Sequence, residues 1–171
     1  MPKVTLEDIS PQMQDYLETI THLQEEARVA RAKDIAQRLG VSRATVTSAL
    51  RVLREHGLIN YQPYSHITLT KSGEALAQEV VHRHQTLTHF LGEVLQMPRA
   101  EAEENACRAE HVLSPKVIER MVCFLEFLKR CPRTGEVWRQ AFDRFCQDGG
   151  EKALCKECVA KCLAGLYAGG K

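Results

Sequence analysis

The sequence lacks a long hydrophobic run. Nothing in its 171 residues approaches the ~20 consecutive apolar residues that a bilayer-spanning helix requires. Its N-terminus also lacks the charged-then-apolar pattern of a signal peptide. Together these absences point to a cytoplasmic chain with no membrane partner. In that compartment its seven cysteines are expected as thiols, metal ligands or redox groups rather than structural disulfides. No Gly-rich phosphate loop or nucleophile motif is present, so an enzyme has little support. Internal repeats and low-complexity blocks are missing too, which leaves one domain or two small ones. Aromatic residues are few, at 6%, but a hydrophobic fraction of 44% is ordinary for a globular protein.

Net charge is nearly absent, at +1, yet this conceals a partition. Residues 1–26 carry one lysine against six carboxylates, a net of −5, and residues 27–75 carry eight basic residues against three acids, a net of +5. A basic segment beside an acidic one suggests a nucleic-acid face next to a cation-binding element.

Helical periodicity runs through most of the chain. Ser10-Pro11 reads as an N-cap followed by proline at the first helical position, and Met13, Tyr16, Leu17, Ile20 and Leu23 then recur at helical spacing to about residue 26. A second helix is expected over 32–39, ended by Gly40, and a third from Ser42 to about His56, with Gly57 beyond it. Residues 58–61 and 67–70 read as two short strands joined by Gln62-Pro63-Tyr64-Ser65-His66. Four more helices are expected at 72–95, 99–113, 115–130 and after residue 135, with a last one over 151–167. The broad apolar face of 115–130 suggests burial in a subunit interface as well as a core, with Cys123 inside.

Two helices joined at Gly40 and followed by a hairpin form a winged helix-turn-helix. The start of the second helix then enters a major groove and presents Ser42, Arg43, Ala44, Thr45, Thr47 and Ser48. Arg43 suits guanine or phosphate. Arg51 and the wing residues Tyr64, Ser65 and His66 suit the backbone. The bland alternative is a winged helix used for protein contacts; the basic charge and small outward side chains favour double-stranded DNA.

Potential metal ligands come from three places: Asp15 and Glu18 on the first helix, His84 on the fourth, and Cys107, Glu110 and His111 on the fifth. The last three stand at i, i+3 and i+4, on one helical face, where thiolate, carboxylate and imidazole could hold a divalent transition metal. A polar surface stripe with a stray cysteine is the alternative. His82 and His89 do not share the face of His84 and are expected at the surface.

Met13-Gln14-Asp15-Tyr16-Leu17-Glu18, the winged element, His82-Arg83-His84 and the run from Cys107 to Ser114 together resemble the diphtheria-toxin-repressor family of iron- and manganese-dependent regulators. The resemblance covers about residues 10–130. It implies a homodimer that binds palindromic operators when loaded with a divalent metal and represses metal-uptake genes. It also implies ligands at Asp15, Glu18, His84, Cys107, Glu110 and His111. The manganese branch of the family has Glu at the Cys107 position. The iron branch has Cys there but Met at the Asp15 position, and builds an ancillary site in which Glu103 of this chain replaces a histidine. Thiolate and carboxylates together favour Fe(II), with Mn(II) next.

The expected architecture is mainly α. A winged helix-turn-helix DNA-binding domain occupies 1–75, a helical metal-binding and dimerisation domain 76–134, and a helical Cys-rich extension 135–171. Cys155, Cys158 and Cys162 share one helical face, with Cys146 and Cys131 nearby. They could bind Zn(II) or an iron–sulfur cluster, form a redox-switchable set, or simply pack. A thiol- or cluster-responsive winged regulator is therefore the runner-up function.

Overall fold

The computed structural model describes residues 4–27, 29–62, 65–130 and 136–147. Cys131, Cys155, Cys158, Cys162 and Tyr64, with the expected helix over 151–167, lie outside the described residues. Seven helices and one two-stranded sheet are described: α1 (Pro11–Ala27), α2 (Ala32–Leu39), α3 (Arg43–Glu55), β1 (Ile59–Asn60), β2 (Thr68–Leu69), α4 (Lys71–Glu93), α5 (Arg99–Ala109), α6 (Pro115–Arg130) and α7 (Glu136–Gln147). They fall into two compact units, one made of residues 1–85 and 107–112, the other of 86–106 and 113–171.

The first unit is built on caps and one core. Ser10 Oγ accepts from the Met13 amide at 3.3 Å, which starts α1. Gly40 takes a left-handed conformation (φ +66) after α2, and the Val41 amide bonds back to the Ala36 carbonyl at 3.1 Å. Ser42 Oγ accepts from the Thr45 amide at 3.1 Å and caps α3. Tyr16, Leu17 and Ile20 of α1 are fully buried with Ile35 of α2 and Val46, Leu50 and Leu53 of α3. The helix-turn-helix is thus packed directly on the helix that carries the first acidic residues.

The hairpin is shorter than expected, with two residues per strand in the register Ile59↔Leu69 and Asn60↔Thr68. Its third member is Ala30, which forms an antiparallel bridge with Ile67 and is fully buried. A single residue has no alternation to read, so periodicity passed over it. Helix α4 begins one residue before the expected start because Thr70 caps it: Thr70 Oγ1 accepts from the Gly73 amide at 3.1 Å and donates to the Gly57 carbonyl at 2.7 Å. Gly73 packs so closely on β1 that a Cβ would overlap the Leu58 carbonyl oxygen.

In the second unit Leu87, Val94, Ala102, Ala106, Ile118 and Leu125 are buried. Helix α6 keeps much of its apolar face open: Val117, Cys123, Phe124 and Phe127 are exposed. Cys123 was expected in the core, but its side chain falls at the edge of the face, away from Ile118 and Leu125. Phe145 of α7 is 45% exposed. Arg139 of α7 pairs with Glu93 at 2.7 Å, and its carbonyl accepts from Gln96 Nε2 at 2.6 Å.

Candidate metal centre and nucleic-acid interface

Within the first unit, α1, α4 and the turn after α5 bring five of the six expected ligands together. Helix α5 stops at Ala109, four residues short of expectation, because the chain must leave the helical path before Ser114 and Pro115 open α6. Glu110 and His111 therefore sit on a turn, with Cys107 in the last helical turn before them. Asp15, Glu110 and His111 place ligand atoms within 4.8 Å of one another, and so do Glu18, His84 and Glu110. The two groups share Glu110.

Glu110 is completely buried, as carboxylates almost never are without partners. Its Oε2 lies 2.7 Å from His84 Nδ1. Its Oε1 lies 3.3 Å from His111 Nε2 yet makes no hydrogen bond. Asp15 Oδ1 stands 2.9 Å from the same imidazole nitrogen. Three carboxylates thus converge on two histidines. Burial and the Glu110 charge push the Glu18 carboxyl above its ordinary value, against a smaller opposing pull from His84 and His22. The hydrogen bond to Asp15 holds the His111 imidazolium above the usual histidine range despite its burial. A divalent cation fits this donor set. Carboxylate oxygens and imidazole nitrogens suit a hard to borderline ion, and the unbonded Oε1 of a buried carboxylate is the atom such an ion would satisfy.

Cys107 is exposed and belongs to neither group. Burial of its sulfur, then the charges of Glu110, Asp15 and Glu18, raise its pKa, so it lies within their field. Glu103 is exposed and paired with Arg99 at 2.8 Å. Cys146 is a free, exposed thiol on α7.

Sequence reasoning passed over two residues. Gln14 is buried, and its Oε1 lies 2.9 Å from His111 Nδ1. Arg83, also buried, donates to the Glu110 carbonyl at 3.4 Å and pairs with Glu79 at 2.9 Å, which ties the ligand-bearing turn to α4. Gln14 sits beside Asp15 in sequence. Yet neighbours on a helix point about 100° apart, so adjacency suggested the opposite of a shared role.

On the reading head, Ser42, Arg43, Ala44, Thr45 and Ser48 are exposed and Thr47 half-buried. Three of the hydroxyls already have work within the chain: Ser42 Oγ contacts Thr45 Oγ1 at 2.8 Å, and Thr47 Oγ1 donates to the Arg43 carbonyl at 2.8 Å. Arg43, Thr47, Arg51, Ser65 and His66 line a hollow between α3 and the wing. Arg31, Lys33, Arg54 and Tyr61 complete it and had not been singled out. Ser65 Oγ, by donating to the Gln62 carbonyl at 2.8 Å, fixes the wing turn beside these cations.

A basic helix-turn-helix with its wing and a partly buried cluster of carboxylates and imidazoles in one unit point to the class of cation-responsive DNA-binding regulators. The comparisons with known proteins narrow that class. Residues 8–67 match the family described as "Iron dependent repressor, N-terminal DNA binding domain", and residues 70–139 match "Iron dependent repressor, metal binding and dimerisation domain". The chain belongs to the iron-dependent repressor family of transcriptional regulators, which are DNA-binding proteins and not enzymes. It is 35% identical to a helix-turn-helix-type transcriptional regulator of Methanocaldococcus jannaschii over 71% of this chain and 98% of that one. It is 32% identical to the diphtheria toxin repressor of Corynebacterium efficiens over 74% of this chain and 55% of that one. Among solved structures, a manganese-dependent transcriptional repressor in complex with manganese is 34% identical with a TM-score of 0.63, over 67% of this chain and 53% of that one. The chain therefore spans nearly all of the first relative and about half of the other two. These relationships give no support to a thiol- or cluster-responsive regulator.

Proposed function

We propose that this chain is a metal-activated transcriptional repressor that binds Fe(II) or Mn(II) through Asp15, Glu18, His84, Glu110 and His111, with Cys107 at the edge of the site. The buried, shared Glu110 carries this reading, because an unbonded carboxylate oxygen between two histidines and two further acids is unfavourable unless positive charge is added. The relatives include iron-dependent and manganese-dependent repressors, which supports the same two metals. The carboxylate–imidazole set suits both ions, and Fe(II) would be favoured over Mn(II) only if the Cys107 thiol joined that set.

The chain's own residues supply the switch. Asp15 and Glu18 lie on α1, whose opposite face packs Tyr16, Leu17 and Ile20 among the residues of α2 and α3. Arg38 of α2 grips Glu26 near the end of α1 with two contacts, at 2.8 and 2.9 Å. A bound divalent cation supplies the charge that offsets mutual repulsion among Asp15, Glu18 and Glu110. With that repulsion removed, Asp15 and Glu18 hold α1 to the turn at Glu110 and His111, and α1 fixes the helix-turn-helix on its other side. Binding then selects the arrangement that reads DNA.

In this reading residues 1–75 hold the DNA-binding function and 76–134 the remaining ligands and dimer contacts, with 135–171 an extension. The partner is a palindromic operator read by a homodimer through Arg43 and its neighbours, and the regulated genes are those of metal uptake. No helix among the described residues is long and apolar enough to cross a membrane. The test is a DNA-binding selection on random duplexes with and without Mn(II) or anaerobic Fe(II), repeated with Asp15→Ala. The proposal expects metal-dependent enrichment of a palindrome, lost in the variant while its circular dichroism is unchanged. Equal enrichment without metal would overturn it.

A further inference from the structure

We propose that Gln14 is a positioning residue of the cation site: it fixes the proton of His111 on Nδ1 and so turns Nε2 toward the site as the ligating nitrogen. The inference rests on the cation-site reading above and adds a residue that contributes no ligand atom of its own.

Hydrogen-bond directionality fixes the orientation of the Gln14 amide. Gln14 is 5% exposed, so its amide must be satisfied within the protein. Its neighbours on one side are two backbone carbonyls, those of Leu6 at 2.9 Å and Ile9 at 3.3 Å. A carbonyl only accepts, so the atom facing both must be the NH2 group. This orientation leaves Oε1 facing His111 Nδ1 at 2.9 Å, and an amide oxygen only accepts. Nδ1 must therefore carry a proton. The reversed amide would set Oε1 against two carbonyl oxygens and lose both of those bonds, keeping only a bond from its NH2 to an unprotonated Nδ1.

The other ring nitrogen then has one outlook. Nε2 lies 2.9 Å from Asp15 Oδ1 and 3.3 Å from Glu110 Oε1, inside the first ligand group. Imidazole binds a metal through an unprotonated nitrogen, and the hydrogen bond made by the opposite nitrogen sets which one and in what orientation. The 3-10 turn Leu6–Asp8 and Ile9 thus anchor an amide that aims a histidine 97 residues away.

Two variants separate positioning from support. Gln14→Met loses the acceptor and the donors. Gln14→Glu keeps an acceptor for Nδ1–H and loses the donors to Leu6 and Ile9. We expect Mn(II) affinity of the full chain, by calorimetry, to fall about 10- to 100-fold in Gln14→Met, the range for lost partners of ligating histidines. It should stay within a few-fold of wild type in Gln14→Glu. In protein with 15N-labelled histidine, the His111 Nδ1–H proton should exchange slowly in wild type and in Gln14→Glu, and rapidly in Gln14→Met. Zn(II) should perturb Nε2 in wild type. Wild-type behaviour of the Gln14→Met variant in either assay, or equal losses in both variants that track their melting temperatures, would overturn the inference. A wild-type chain that takes up neither Mn(II) nor Zn(II) would overturn the cation-site reading instead; the exchange of Nδ1–H in the metal-free chain then decides the Gln14 inference by itself.

Discussion

At the residue scale, the site is an arrangement of partly buried charges around one fully buried carboxylate, Glu110. Glu18 and His111 both titrate above their ordinary values, with burial the leading cause for the acid and the Asp15 hydrogen bond for the imidazole. A group whose folded pKa is raised stabilises the fold fully below its unfolded value and loses that contribution as pH rises through the folded one. For Glu18 the loss begins above its ordinary value of 4.5, and for His111 above 6.5. The metal-free chain should therefore lose stability from these groups as pH rises from mildly acidic through neutral, read as a falling midpoint in urea titrations. Glu18→Gln should flatten the lower part of that loss. Metal affinity should run the opposite way and increase with pH, because the cation competes with the same protons.

The residue types of this site were legible in the sequence; their surroundings were not. Asp15, Glu18, His84, Glu110 and His111 stood out because acids and histidines at helical spacing are visible as letters. The burial of Glu110, the amide of Gln14 and the anchoring of the turn by Arg83 depend on contacts up to 97 residues apart, which no local pattern encodes. Cys107 shares the spacing of the other expected ligands, and its place in the last turn of α5 leaves it exposed, outside both clusters.

At the element scale, caps made the helix ends readable. Ser10, Ser42 and Gly40 act where polarity and backbone freedom placed them, and α2 has the bounds its periodicity predicted. Where two signals competed, the ends moved. Thr70 caps α4 one residue ahead of the expected start, with its hydroxyl also reaching the Gly57 carbonyl, and α5 ends early to admit α6. The contact of α4 with β1 leads to a prediction. Gly73→Ala would drive a methyl group into the Leu58 carbonyl, and we expect a loss of about 1–3 kcal/mol in unfolding free energy by denaturant titration. Unchanged stability would show that α4 and β1 can move apart without cost.

At the scale of the whole molecule, the chain leaves an apolar surface open. Phe90, Val117, Met121 and Phe124 line a groove in the second unit, the rings of Phe90 and Phe124 lie 6.1 Å apart, and Phe127 is 52% exposed. An apolar patch of this kind is a poor surface for a lone chain and a good one for self-association. It falls within the segment matched to a dimerisation domain. Phe127→Glu should leave the fold intact, since the side chain is exposed in one copy, and should shift the protein toward monomer in sedimentation velocity. DNA affinity should fall with it, because a dimer brings two reading heads to the DNA. A variant that stays dimeric would place the interface elsewhere.

The account turns on Glu110 as the carboxylate shared by two ligand groups. The most direct measurement is a calorimetric titration of the metal-free full chain with Mn(II), and anaerobically with Fe(II), comparing wild type with Glu110→Gln. Saturable binding by wild type, weakened at least about tenfold in the variant with its metal-free stability equal or higher, is the predicted result. Equal affinity in the two proteins would contradict the account.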